Sequence, residues 1–233
     1  MIQFLLHCFR LFPGTGIYNL IHFLLFPRMG TVIRLAASNS GYLVDAGCGT
    51  GIYSILIAKK NPNLTVIGVD VQAMRCACAQ RIAQSLALYN VHFITADVFT
   101  HQLPYAQTYL LCDILCYHPL GDQNILLRNI ADHLPPKGQI IIKDHAKDSH
   151  WRTKLLRIEE SWGRKIRQWL HTERRPHYYQ NREFLRTKKE RKLELEEIGL
   201  CVRIVPLLGS SLLPHTLYVA EKQIPKTGSQ NAV

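Results

Sequence analysis

The feature that most restricts the fold is a glycine-rich turn between an apolar run and a stretch of helical periodicity. Residues 43–51 read Leu-Val-Asp-Ala-Gly-Cys-Gly-Thr-Gly. Glycine has no Cβ atom, so three glycines at alternate positions let the backbone turn sharply and let a ligand lie directly against it. In open parallel sheets, ligands bind where a strand ends and the next helix begins. The sequence therefore predicts an α/β fold with a ligand-binding loop at 43–51.

Short apolar runs alternate with helical periodicity along most of the chain, which indicates successive βα units in one sheet. The predicted strands are 41–46, 64–70, 91–96, 109–115 and 139–143, and the predicted helices are 52–60, 72–88 and 124–134. A charged helix over 182–197 follows. The last two apolar runs, 201–208 and 216–220, predict an antiparallel strand pair at one sheet edge.

Acidic residues lie at the ends of the first three predicted strands. Asp45 precedes the glycines, Asp70 ends the second strand and Asp97 follows the third. A carboxylate at Asp70 can accept two ribose hydroxyls, and Asp97 can approach an adenine.

A dinucleotide-binding loop requires Gly-x-Gly-x-x-Gly/Ala, but the register that begins at Gly47 places Ile52 at the last small position. An aspartate directly before the glycines also suits a ligand with an amino group better than a pyrophosphate.

Five segments resemble the motifs of class I S-adenosylmethionine-dependent methyltransferases. They are Leu43–Gly51, Val66–Asp70, Thr95–Asp97, Asp113–Pro119 and Leu134–Asp144. The resemblance implies a three-layer, Rossmann-like fold around a seven-stranded sheet, mostly parallel with the last strand antiparallel. It also implies N-terminal helices, a helical insert after strand five, S-adenosylmethionine as cofactor, and methyl transfer as the activity.

The resemblance also implies which residues contact the cofactor. Asp45, Gly47 and Gly49 would hold the methionine end, Asp70 the ribose, and Asp97 with Val98 the adenine. The full predicted set is Asp45, Ala46, Gly47, Cys48, Gly49, Gly51, Asp70, Val71, Asp97, Val98 and Asp113.

Methyl transfer is an in-line displacement at a sulfonium carbon, so the enzyme mainly supplies alignment and a dry site. A general base is needed only if the acceptor must lose a proton. We predict His118, Asp144 and His145 as catalytic residues, with His145 or His118 as the base, because they follow predicted strands near the cofactor. The predicted substrate contacts are Tyr117, Trp151 and Tyr178.

A basic segment carries most of the net charge of +11. Residues 152–192 hold 14 of the 28 Lys and Arg residues but 5 of the 17 Asp and Glu residues. All three tryptophans lie within the insert at 146–181 and recur at helical spacing, which predicts a basic amphipathic helix. Such a helix either docks on the core with its charged face in solvent or has one of three functions. It could cover an acidic or lipid-like acceptor, contact an anionic membrane surface, or dock an acidic carrier protein.

The favoured acceptor is a small molecule of lipid, quinone or polyketide type. Strand four ends in Cys-Tyr-His-Pro, without the Asn/Asp-Pro-Pro-Tyr/Phe motif that N-methylating nucleic-acid enzymes use. An RNA methyltransferase that uses residues 152–192 is the first alternative. The second is a non-catalytic protein that binds the cofactor and associates with a membrane.

We expect three regions along the chain. Residues 1–40 would form two amphipathic helices over the substrate side, residues 41–222 the methyltransferase domain, and residues 223–233 a disordered tail. The N-terminal apolar runs are shorter than a membrane span, and no signal peptide is expected.

The cysteines predict neither disulfides nor a metal site. They number seven, and most lie within apolar runs, which is typical of buried thiols in a reducing cytoplasm. The pairs Cys76-x-Cys78 and Cys112-x3-Cys116 lack the spacing of zinc ligands. A cytoplasmic protein is therefore expected, with peripheral membrane association as the alternative.

Overall fold

The computed structural model describes residues 2–25, 29–147, 184–207 and 215–224. Its seven strands form one sheet in the order β3-β2-β1-β4-β5-β7-β6. Their bounds are β1 Gly41–Ala46, β2 Leu64–Asp70, β3 Val91–Thr95, β4 Thr108–Cys112, β5 Gln139–His145, β6 Leu200–Val205 and β7 His215–Lys222. Strand β7 is antiparallel to both neighbours, and the other adjacent strands are parallel. The predicted seven-stranded sheet with an antiparallel last strand is confirmed.

Helices cover both faces of the sheet. They are α1 Ile2–Leu11, α2 Pro13–Leu25, α3 Met29–Ala37, α4 Ile52–Lys60, α5 Ala73–Ser85, α6 Leu120–His133 and α7 Lys188–Glu197. Neighbouring strand residues point to opposite faces. Thus Leu43 of β1 packs in the core beneath α3 and α4, and Val44 packs in the core beneath α6. The result is the predicted three-layer arrangement.

The N-terminal region contains three helices where the sequence predicted two. Helix α1 packs on α2 and α5, and α3 packs on α4. Helix α2 also reaches the glycine loop, because Thr50 Oγ1 donates a hydrogen bond of 2.8 Å to Asn19 Oδ1. Within the described ranges, no helix is both long enough and apolar enough to cross a lipid bilayer.

Several predicted boundaries differ from the structure, and two of the differences have clear local reasons. Strand four was predicted to continue to Leu115, but it ends at Cys112 because Asp113 adopts a left-handed backbone conformation (φ 54°). A short 3-10 turn, Leu115–Tyr117, follows. Helix α7 begins at Lys188 because Thr187 and Glu190 form a reciprocal capping box, with each side chain accepting the other's backbone N–H.

The described residues on either side of 148–183 lie close to the sheet. The backbone N–H of Lys147, just after β5, donates to the carbonyl of Arg186 at 2.9 Å. Both ends of the intervening chain therefore lie beside the carboxyl end of β5. Most of the predicted insert lies outside the described residues, and so do Trp151, Tyr178 and nearly all of the predicted tail.

Candidate cofactor and acceptor site

The glycine loop lies at the carboxyl end of β1, where the strand order reverses between β1 and β4. Gly47, Gly49 and Gly51 all have positive φ angles, of 77°, 55° and 75°. A Cβ at Gly47 would run into Ile114, whereas one at Gly49 would have no atom closer than 3.9 Å. Gly47 is therefore required by packing. Gly49 combines a backbone that favours glycine with open space for a ligand.

Asp70 fixes this loop to the end of β2. Its Oδ2 accepts the backbone N–H of Gly49 at 2.9 Å, and its Oδ1 accepts that of Gln72 at 2.8 Å. A carboxylate has about four lone-pair sites, so each oxygen can still accept a hydroxyl. The carboxylate is thus anchored and suited to hold the two hydroxyls of a ribose.

Asp45 is almost completely buried and accepts a hydrogen bond from Ser54 Oγ of α4. Burial raises its pKa to about 7, the hydrogen bonds from Ser54 oppose this shift, and the nearby charge of Asp70 adds to it. A buried carboxylate of this kind is stabilised most when a cation binds beside it and neutralises its charge. The residue therefore fits the ammonium group at the methionine end of S-adenosylmethionine.

On the adenine side, Asp97 is half-buried and its Oδ1 accepts the backbone N–H of Phe99 at 2.9 Å. The Phe99 ring stacks on His118, with ring centroids 3.6 Å apart. Burial lowers the pKa of His118 to about 4, against the opposing charges of Asp97 and Asp122. His118 is therefore neutral at pH 7 and lies against the residues predicted to bind adenine. Its role as a base stays a prediction.

The other predicted cofactor residues differ in exposure. Ala46, Cys48 and Val98 are buried, and Val71 is 37% exposed just beyond β2. Tyr117, a predicted substrate contact, lies half-buried at the end of the 3-10 turn.

A second group of polar side chains lies at the carboxyl ends of β4 and β5. Asp113 pairs with the Lys143 ammonium, and its Oδ1 lies 3.5 Å from Nε2 of His215. His145 is the register partner of His215 in the β5–β7 pair, and their ring centroids are 4.2 Å apart. We call Asp113, Lys143, His145 and His215 the strand-end cluster. Burial alone would raise the pKa of Asp113, but Lys143 and His215 hold it well below its usual range.

The strand-end cluster lies next to the glycine loop, which is predicted to hold the methionine end. Strand β4, which ends just before Asp113, pairs with β1, which ends just before the glycines. A Cβ at Gly47 would run into Ile114, the residue that follows Asp113. Tyr53 of α4 is buried, and its pKa is raised well above the usual value, first by burial and then by Cys112, Asp113 and Asp45.

Asp144 faces the opposite side of β5 from Lys143 and His145, because side chains alternate along a strand. Its Oδ2 accepts the backbone N–H of Cys116 at 3.0 Å and its Oδ1 accepts that of His145 at 2.8 Å. Burial raises its pKa to about 6, with the Arg191 charge opposing the shift. The carboxylate holds the 3-10 turn against β5, and its predicted catalytic role stays a prediction.

Sequence reasoning missed Lys143, His215, Tyr53 and Ser54. A lysine that directly follows the apolar run Ile140–Ile142 is an available signal for Lys143. His215 gives no local signal, since its place depends on the pairing of β7 with β5.

The glycine loop after β1, the carboxylate at the end of β2 and the β3-β2-β1-β4-β5-β7-β6 sheet define a class I S-adenosylmethionine-dependent methyltransferase fold. The profile of the family described as methyltransferase domain matches residues 38–197, more than half of the chain. The chain belongs to this family, and its cofactor is S-adenosylmethionine.

Three known proteins illustrate the similarity. The N-methyltransferase nanE of Aspergillus nanangensis is 32% identical over 109 residues, 46% of this chain and 27% of that protein. The tetracenomycin polyketide synthesis 8-O-methyl transferase TcmO of Streptomyces glaucescens is 25% identical over 115 residues, 49% of this chain and 34% of that protein. In both cases the match spans well under half of the relative's length.

The third is a solved structure. Magnesium protoporphyrin IX methyltransferase from Synechocystis PCC 6803, with bound SAH, superposes with a TM-score of 0.63 at 18% identity. The superposition covers 84% of this chain and 82% of that one, and at this identity it shows a common fold.

Proposed function

We propose that this protein transfers a methyl group from S-adenosylmethionine to a hydroxyl of a small-molecule acceptor of lipid, quinone or polyketide type. The observation that carries the proposal is the strand-end cluster, which brings two imidazoles and an ion-paired carboxylate beside the glycine loop that we propose holds the methionine end. The naming of one relative for polyketide synthesis supports the acceptor class.

Within this proposal, S-adenosylmethionine supplies an electrophilic methyl carbon on a sulfonium sulfur. The imidazole of His145, or of His215 beside it, accepts the proton of the acceptor hydroxyl as the oxygen bonds to that carbon. The bound cofactor would supply this carbon with a sulfonium leaving group, which would take the electron pair of the broken bond. Asp113 stabilises the resulting imidazolium, and Lys143 keeps Asp113 ionised.

The burial of the strand-end cluster favours a small acceptor. Lys143 and His145 are 2% and 8% exposed. A buried side chain can react with the hydroxyl of a small molecule that enters the site. It is poorly placed to reach a nucleobase that is stacked within a double helix. Helix α2, which contacts the glycine loop through Asn19, would cover this acceptor.

The proposal is tested with the full-length protein and S-adenosylmethionine carrying a labelled methyl group. Lipid extracts, phenolic polyketides, quinone precursors, carrier proteins and RNA are offered separately. We expect label in the fraction soluble in organic solvent, and loss of that label with His145→Gln. Exposed His92 provides the matched control, His92→Gln, which should keep full activity. Label in RNA that resists protease, or cofactor binding without transfer to any fraction, would contradict the proposal.

A further inference from the structure

We infer that Asp113, His145 and His215 form a binding site for one divalent transition-metal ion that takes imidazole and carboxylate ligands. Each side chain offers one ligand atom, and the three atoms all lie within 4.8 Å of one another. In a tetrahedral site with metal–nitrogen bonds of about 2.0–2.1 Å, ligand atoms are about 3.3 Å apart. Small side-chain rotations therefore suffice to close the set around an ion.

The backbone holds these ligands at the ends of three neighbouring strands. Asp113 directly follows β4, His145 ends β5 and His215 begins β7. Because β7 runs antiparallel to β5, the sheet register sets the two histidines opposite each other. Ligands on paired strands are held more precisely than ligands on loops, so little ordering is needed when an ion binds.

The donor set favours particular metals. Two imidazoles and one carboxylate leave open coordination positions and suit Zn²⁺, Fe²⁺ or Co²⁺. Mg²⁺ and Ca²⁺ prefer oxygen ligands, of which the set offers one side chain. Lys143 pairs with the other oxygen of Asp113, Oδ2, and so orients Oδ1 toward His215. The positive charge of Lys143 also repels a cation at this site. This repulsion disfavours ions that are held only by electrostatic attraction.

The metal site is independent of the acceptor, but its role rests on the proposed function. The strand-end cluster adjoins the glycine loop, because β4 pairs with β1 and Gly47 lies against Ile114. An ion with open positions there would bind the acceptor hydroxyl and lower its pKa. The imidazoles would then serve as ligands, and the metal would replace them in activating the hydroxyl.

Metal binding is measured on the full chain without cofactor or acceptor. Purified protein is titrated with Co²⁺ and followed by visible absorption, and its zinc content after dialysis is measured by mass spectrometry. We expect one equivalent per chain and a spectrum of nitrogen and oxygen ligands. His215→Ala and Asp113→Asn should each weaken binding at least about tenfold. His92→Ala, which removes an exposed imidazole, should bind as the unaltered protein does.

Three results would overturn the inference: no Co²⁺ binding, a thiolate charge-transfer spectrum from the cysteines, or equal binding by His215→Ala. Circular dichroism of each variant verifies folding, and the use of two ligand variants keeps the test valid if one of them unfolds. Methyl transfer without metal binding would overturn the metal site and leave the proposed function standing. Metal binding without transfer to any acceptor would overturn the proposed function and leave the metal site standing. Transfer that persists in a chelator would contradict the role of the ion in the reaction.

Discussion

The backbone N–H of Gly49 donates a hydrogen bond of 2.9 Å to Asp70, so the carboxylate that ends β2 holds the glycine loop that follows β1. The residue predicted to bind the ribose therefore also shapes the loop that is predicted to hold the methionine end. Replacing Asp70 should affect both parts of the cofactor site together.

Asp70→Ala should weaken S-adenosylmethionine binding by about 10- to 100-fold or more, because it removes hydrogen bonds to a charged group worth about 1.5–3 kcal/mol. Isothermal titration calorimetry gives the affinity directly. Asp132→Ala, which removes an exposed carboxylate on α6, is the matched control and should bind normally. Unchanged affinity in Asp70→Ala would refute the assignment of Asp70 to the ribose.

Cofactor affinity should depend on pH through Asp45. Its pKa is raised to about 7 in the cofactor-free protein, so the carboxyl group is increasingly protonated as pH falls through 7. An ammonium ligand binds the ionised form, and binding must then release a proton. Affinity should therefore fall by up to about tenfold per pH unit below 7 and level off above it.

Calorimetry between pH 5.5 and 8.5 checks this dependence. Asp45→Asn should bind weakly and lose this part of the pH dependence. Ser54→Ala removes the side-chain hydrogen bond that lowers the pKa of Asp45, so the midpoint should move to higher pH. A pH profile that is the same in the unaltered protein and in Asp45→Asn would assign the dependence to another group.

Gly51→Ala should destabilise the fold by about 2–4 kcal/mol. The position has φ 75°, and an added Cβ would lie 2.8 Å from both the Phe93 ring and Ala79. Left-handed backbone and overpacking each cost about 1–3 kcal/mol. Gly121→Ala, in helix α6 with nothing within 4 Å of the added atom, should instead be neutral or slightly stabilising. Urea denaturation of both variants measures the difference, and equal stability would contradict the packing argument.

The elements nearest the glycine loop could be predicted from the sequence. The bounds of β1, α4 and β2 match the predicted ranges, because Gly-x-Gly-x-Gly and Asn61-Pro62 mark their ends locally. The end of β4 could not be predicted. Ile114 and Leu115 continue the apolar run, and the left-handed conformation of Asp113 is stabilised by contacts with β5 and β7.

The strand-end cluster shows the same limit. Asp113 and His145 follow apolar runs and were found from the sequence, whereas His215 acquires its place only through the antiparallel pairing of β7 with β5. A local sequence pattern can locate a polar residue that directly follows an apolar strand. A group whose position depends on a strand far along the chain requires the tertiary fold.

Gln123 joins the loop after β4 to the chain that leads into α7. Its amide nitrogen donates to the carbonyl of His118 at 2.7 Å and to that of Phe184 at 3.0 Å, and its oxygen accepts from Arg191. All three contacts are lost in Gln123→Leu, which leaves a buried guanidinium with one fewer acceptor. We expect a loss of about 2–4 kcal/mol in the free energy of unfolding.

Urea denaturation of Gln123→Leu compared with Asn129→Leu, an exposed position on the same helix, measures this cost. Asn129→Leu should stay within about 0.5 kcal/mol of the unaltered protein. Because Phe184 lies where the chain returns from the insert beside β5, Gln123→Leu should also make the region around residues 184–187 exchange its amide hydrogens faster. If Gln123→Leu were as stable as Asn129→Leu, the buried amide would contribute nothing to holding this part of the chain against the site.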